Sequence, residues 1–154
     1  MNLLQTTTLT LAQQEQVRQL WNQEYPCQLS FAESNDFEDW LAKLTNARHL
    51  LLVRETGGVR GWLTVFQREK APWFVLLVDS AVHGRGHGTI LLDRAKAQET
   101  ELNGWVVPHE DYRKPNGDVY RSPVAFYEKN GFAILHDQPL GSAHLSAIRI
   151  HWVR

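Results

Sequence analysis

The chain has 154 residues, 43% of them hydrophobic and 21% charged, the size and apolar fraction of one globular domain spanning 1–154. Sixteen Lys and Arg against seventeen Asp and Glu leave a formal charge of −1, which excludes the global basic field on which non-specific nucleic-acid binding relies. Cys27 is the only cysteine, so an intramolecular disulfide and a Cys-rich zinc site are excluded, and a reducing compartment fits. The longest apolar run, Trp73 to Val78, is far short of the ~20 residues of a membrane helix, and MNLLQTTTLT lacks the basic and apolar regions of a secretory signal. The expectation is a cytoplasmic protein with no membrane or nucleic-acid partner, monomeric or homodimeric.

Thr10 precedes a stretch in which Val17, Leu20, Trp21 and Tyr25 recur at three- and four-residue steps, with Gln13 placed to complete a capping box. This predicts a helix to about Glu24, ended before Pro26. From Ser34, NDFEDWLAKL puts Phe37, Trp40, Leu41 and Leu44 on one face, with acidic residues in the first turn, and predicts a second helix. After His49, LLLVRE and VRGWLTVFQRE flank Gly57-Gly58 and read as a hairpin. PWFVLLVD is nearly all apolar and reads as a central strand buried on both faces. SAVHGRGHG then leads into TILLDRAKAQETEL, a helix with Ile90, Leu91 and Ala95 toward the sheet. GWVV is a short strand. The stretch from Pro108 to Arg121 is polar, charged and long for a bare connection, as functional loops often are. Ser122-Pro123 and Asn130-Gly131 bound a short helix, VAFYEKN, and FAILHD and LSAIRIHWV close the chain as strands.

The run His83-Gly84-Arg85-Gly86-His87-Gly88 joins a buried strand to a helix. Its glycines let the backbone turn tightly and approach a ligand, and its N–H groups point outward at a helix N-terminus. Such a nest suits phosphate, with Arg85 able to add a charge-assisted bond. A dinucleotide fingerprint needs its third glycine one residue later, where Thr89 stands, and a P-loop needs Lys and then Ser or Thr after its last glycine. His83 and His87 flank glycines in a loop rather than sharing a helix face, and adjacent residues such as His109, Glu110 and Asp111 rarely converge on one ion, so no metal is expected.

The loop resembles the acyl-coenzyme A signature of the GNAT superfamily of N-acetyltransferases, Q/R-x-x-G-x-G/A, with His83 at the Gln/Arg position, Gly86 at the first glycine and Gly88 at the last. Phe126-Tyr127-Glu128-Lys129-Asn130-Gly131-Phe132 is similar to the family's Y-E-x-x-G-F, and the order of elements is also similar along nearly the whole chain. The resemblance implies an α+β fold, a mixed and mostly antiparallel sheet flanked by about four helices, with a central strand pair that splays apart. It implies an acetyltransferase in which a primary amine attacks acetyl-coenzyme A directly in a ternary complex. Main-chain groups around Leu77, Val78 and Asp79 would bond the pantetheine, and Val82, His83, Gly84, Arg85, Gly86, His87, Gly88 and Thr89 would hold the pyrophosphate. Histidine at position 83 departs from the pattern, although it can still donate a hydrogen bond.

Tyr127 matches the family's general acid, the alternative being an aromatic packing residue. A phenol near 10 protonates a thiolate near 8.5 uphill by about 2 kcal/mol, so it would help mainly through position. The general base is not identified. Asp79 is the only carboxylate of the central strand and could equally cap a turn, and His109, Glu110, Asp111 and Tyr112 are better read as binding the acceptor, a small molecule or a peptide. Trp21 and Trp40 read as core, whereas Trp62 or Trp73 could line the acceptor pocket. The competing function is a coenzyme A-binding module without catalysis.

Overall fold

The computed structural model describes residues 1–154. In chain order it comprises β1 (Asn2–Thr6), α1 (Leu11–Glu24), α2 (Ser34–Ala42), β2 (Thr45–Val53), β3 (Val59–Arg68), β4 (Ala71–Val78), α3 (His87–Gln98), β5 (Glu101–Val106), α4 (Val124–Lys129), β6 (Ala133–Pro139) and β7 (Ile148–Val153). The strands form one seven-stranded sheet in the order β1-β2-β3-β4-β5-β7-β6, antiparallel everywhere except between β4 and β5. This is the expected α+β architecture with four helices, and no helix is long and apolar enough to cross a membrane.

Strand alternation divides the core in two. Leu50 and Leu52 of β2, Leu63 and Val65 of β3 and Phe74 of β4 face α3, meeting Leu91, Leu92 and Ala95. Their neighbours Leu51, Trp62 and Leu77 face α1 and α2, meeting Val17, Leu20, Trp21 and Phe37. Trp21 and Trp40 are ring neighbours at 5.1 Å in that second layer, and Trp62 is completely buried there. β4 is the middle strand of the seven, yet only Trp73, Phe74 and Leu77 of it are fully buried and the rest is half-buried.

The α1 start takes the predicted form. The Thr10 hydroxyl accepts from the Gln13 N–H at 3.1 Å, and the Gln13 side chain accepts from the Thr10 N–H at 2.9 Å. β1 carries no strong periodic pattern of its own and is held by pairing with β2 from Asn2↔Val53 to Thr6↔His49. Ser122 lies one residue before the α4 cap, Pro123, and its hydroxyl donates to the Val107 carbonyl at 2.7 Å, so it ties the preceding loop to the sheet.

His49 gives the fold an acid-sensitive element. It is 4% exposed, and its Nδ1 accepts from the Trp62 indole N–H at 3.2 Å, a bond only the neutral ring can accept. Burial lowers its pKa from 6.5 to about 4. Between those values the unfolded chain binds a proton that the folded one does not, so this contribution to stability is complete above pH 6.5 and is lost as pH falls toward 4. Urea melts are expected to show unfolding free energy declining across that window, by up to about 1.4 kcal/mol per pH unit, and His49→Gln should flatten the decline.

Candidate functional site

The site begins where β4 and β5 part. They pair at Trp73↔Asn103 alone, near their N-terminal ends, and no ladder joins them beyond it. Which main-chain groups of β4 face the gap follows from its pairing with β3. The Asp79 N–H donates to the Arg60 carbonyl at 2.8 Å, and the register runs unbroken from Gly61↔Val78 to Arg68↔Ala71. Successive peptide groups alternate sides in an antiparallel ladder, so Leu77 and Asp79 bond toward β3 while Leu76 and Val78 point into the gap. The expected contact groups at Leu77 and Asp79 are therefore engaged elsewhere, and Leu76 joins Val78 at the gap.

Asp79 is a cap. One carboxylate oxygen accepts from the Ala81 N–H at 2.9 Å and from Gln23 at 3.1 Å, and the other accepts from Arg60 at 2.7 Å. Burial alone would raise its pKa, but the Ala81, Arg60 and Gln23 bonds outweigh it and hold the carboxyl below its ordinary value. It stays ionised and paired, which is unlike a base.

After a single 3-10 turn over Ser80–Val82, the glycine loop opens. Gly84 and Gly86 sit at φ +77° and +79°, a left-handed conformation that favours glycine, and a Cβ on either would meet nothing within 4 Å. The Val82 and His83 N–H groups bond back to Asp79 and Ser80 at 3.0 and 3.2 Å, and the next intramolecular bond is from Ile90 to Gly86 at 3.0 Å. Every N–H from Gly84 to Thr89 is thus without a protein partner, so the cup starts two residues later than expected. Buried Nδ1 of His87 lies at the same helix start, also without a partner. This donor set fits a diphosphate. Arg85 is exposed beside it. The His83 ring bonds the Val78 carbonyl at 2.7 Å, so its Nε2 donates to the mouth of the gap rather than outward.

Gly88 has another reason to be glycine. A Cβ there would lie 2.8 Å from Cζ of Phe126, so α3 and α4 approach each other only because it has none. Gly88→Ala is expected to lower stability by roughly 1–3 kcal/mol in thermal melts. Phe126→Leu in the same chain should restore part of it.

Tyr127 lies on α4 with its ring among Phe74, Phe126 and Phe132 at 5.8, 5.1 and 5.3 Å. The ring is core, while the hydroxyl has no protein partner and is not sealed from solvent. Burial first, and the neighbouring Tyr120 second, push its pKa well above that of an ordinary phenol. It remains protonated at any working pH.

On the opposite face of the sheet, Glu24 at the end of α1 binds three segments together. One oxygen accepts from the Ser80 N–H at 2.8 Å and from Gln23 at 2.7 Å, and the other lies 3.2 Å from the Lys114 ammonium. Glu24 is buried and the Lys114 side chain is 14% exposed. Lys114 belongs to the 108–121 loop, which is a small hairpin: the Lys114 N–H bonds Asp118 at 2.8 Å and the Tyr120 N–H bonds Tyr112 at 2.9 Å. The Cys27 N–H donates to Arg113 at 2.8 Å and anchors the hairpin to the end of α1. Tyr25 and Tyr120 stand side by side at 6.5 Å, and burial, followed by Glu24, raises the Tyr120 pKa to about 12. His109 and Tyr112 rings touch at 4.7 Å, the Tyr112 hydroxyl accepts from the Ser146 N–H at 2.8 Å, and the outer carboxylates Glu110 and Asp111 lie 3.6 Å from Arg121 and His109. No three His, Cys, Asp or Glu side chains converge as metal ligands would.

Residues 46–134, more than half of the chain, match the family model described as an acetyltransferase (GNAT) domain. This chain belongs to the GNAT family of acetyltransferases. Solved structures with the same fold include an aminoglycoside 6'-N-acetyltransferase complexed with coenzyme A, 13% identical with a TM-score of 0.69 over 99% of this chain and 97% of that one. A GNAT superfamily phosphinothricin acetyltransferase from Sinorhizobium meliloti in complex with AcCoA is 11% identical, with a TM-score of 0.68 over 99% and 89%. A spermidine N-acetyltransferase variant from Vibrio cholerae is 13% identical, with a TM-score of 0.65 over 99% and 95%. No curated protein sequence matches significantly.

The two tryptophans considered for the acceptor side of this GNAT acyltransferase are both buried, Trp62 completely. Trp73 sits at the closed end, stacked on Trp105 at 5.5 Å and covered by Arg68 and Arg149, while the Trp62 indole is occupied by His49. The residues that sequence reading passed over are Glu24, Tyr25, Lys114 and Tyr120. Glu24 looks like any carboxylate at a helix end, and its partner is ninety positions along the chain.

Proposed function

We propose that residues 1–154 act as one acyltransferase domain that moves an acetyl group from acetyl-coenzyme A to a primary amine by direct attack in a ternary complex. The observation that carries this reading is the unpaired run of amides from Gly84 to Thr89 beside the gap between β4 and β5. Acetyl-coenzyme A supplies the thioester. Amides of the cup hold its diphosphate, with Arg85 adding charge, and the Leu76 main-chain groups and the Val78 N–H receive the pantetheine as a neighbouring strand would. An N–H already fixed by the β4 ladder at the gap is placed to stabilise the oxygen of the thioester as negative charge develops there.

The amine nitrogen bonds the thioester carbon, the carbon–sulfur bond breaks, and the amine's surplus proton leaves to solvent. Tyr127 answers the departing thiolate with its hydroxyl. Because burial raises its pKa, it acts as a hydrogen-bond donor that lowers the charge on sulfur rather than as a strong acid. The paired Asp79 and Glu24 carboxylates are not free to serve as the base. The acceptor enters from the face of Tyr25 and Tyr120, with His109 to Tyr112 at its rim. Mixing the protein with acetyl-coenzyme A and a panel of amines and peptides, and following free thiol, tests the reading. Amine-dependent release supports it, and coenzyme binding with no release from any acceptor overturns it.

A further inference from the structure

The acceptor face has two buried carboxylates, and this chain neutralises both. Glu24 is paired with Lys114 and saturated by the Ser80 N–H and Gln23, and Asp79 is paired with Arg60 and saturated by the Ala81 N–H and Gln23. Unpaired buried carboxylates are what a second or third cationic centre on an acceptor needs in order to leave water. The carboxylates at the rim, Glu110 and Asp111, are 47% and 83% exposed and solvent-screened, so they attract such a centre weakly. The wall beside the Glu24–Lys114 pair is instead made of two half-buried phenol rings, Tyr25 and Tyr120, whose hydroxyls have no protein partner.

We infer that the acceptor of this acetyltransferase is a monoamine with an uncharged body, and that Lys114 is the residue that selects against polyamines. The inference rests on the acetyl-transfer reading and adds its substrate class. Apolar and hydroxyl-bearing surface receives an uncharged body, and because the Lys114 ammonium compensates Glu24, no free carboxylate is left at that wall to draw a second cation out of water. Removing that ammonium while leaving Glu24 exposes a carboxylate to the acceptor.

The test compares kcat/KM for n-hexylamine and for spermidine, with acetyl-coenzyme A saturating, by thiol release. Wild type is expected to favour n-hexylamine at least tenfold. Lys114→Met should move that ratio toward spermidine by at least tenfold, and Lys114→Met with Glu24→Gln should return it to the wild-type value, because no free carboxylate remains. Should Lys114→Met fail to fold, Lys114→Gln takes its place beside the wild-type ratio. A wild-type preference for spermidine, an unmoved ratio in the single variant, or no release with either amine overturns the inference. Calorimetry with coenzyme A separates the two levels: heat without turnover of these two amines, but with release from other acceptors of the panel, sinks the acceptor class alone, and no heat sinks the acetyl-transfer reading beneath it.

Discussion

Replacing Gly86 with glutamate is expected to weaken coenzyme A binding at least 100-fold, about 2.7 kcal/mol, in calorimetric titrations of folded protein. Two costs add. Gly86 occupies φ +79°, where a Cβ costs roughly 1–2 kcal/mol, and it caps the first turn of α3, so the strain falls on the loop that presents the amides. The carboxylate then stands among N–H groups suited to an anion, repelling the diphosphate and bonding those donors itself. Gly86→Ala carries only the first cost and should lose about tenfold, so the pair separates backbone strain from charge. Unchanged affinity in the glutamate variant would show that the loop between Gly84 and Thr89 holds something else.

Tyr127→Phe is expected to lower kcat roughly 10–100-fold while coenzyme A affinity stays within about twofold. A hydrogen bond to a charged group is worth about 1.5–3 kcal/mol, and the thiolate is charged only as it departs, so the loss falls on the chemical step. The ring contacts with Phe74, Phe126 and Phe132 survive the substitution, so the melting temperature should hardly move. The pH profile supplies a second check. The protonated phenol is the useful form, and its pKa is raised by burial and by Tyr120, so the form persists further into alkali than for a free tyrosine. Wild-type kcat should therefore show no loss near pH 10 from this group. An undiminished rate in the phenylalanine variant would leave Tyr127 as a packing residue only.

The loop illustrates how far residue patterns reach. The tight backbone at Gly84 and Gly86 is legible because only glycine takes those dihedral angles readily, and the helix that follows is legible from Ile90, Leu91 and Ala95. Gly88 reads the same way in sequence, yet its glycine is required by Phe126, thirty-eight positions later. The 108–121 stretch reads as a polar loop, and its order comes from Lys114 finding Glu24 and from Arg113 finding Cys27.

By itself the sequence determined the elements after β1 and their order, the caps at Thr10 and the glycine loop, and through its motifs the family. These depend on local periodicity and on conformations that few residues can adopt, so they are written within short windows. Tertiary structure alone decided that Leu76 and Val78 face the gap in place of Leu77 and Asp79, because the direction of a peptide group is set by whichever strand pairs first, here β3. It also decided that Glu24 and Asp79 are spent on Lys114 and Arg60, since the charge state of a site is a property of distances between side chains far apart in the chain.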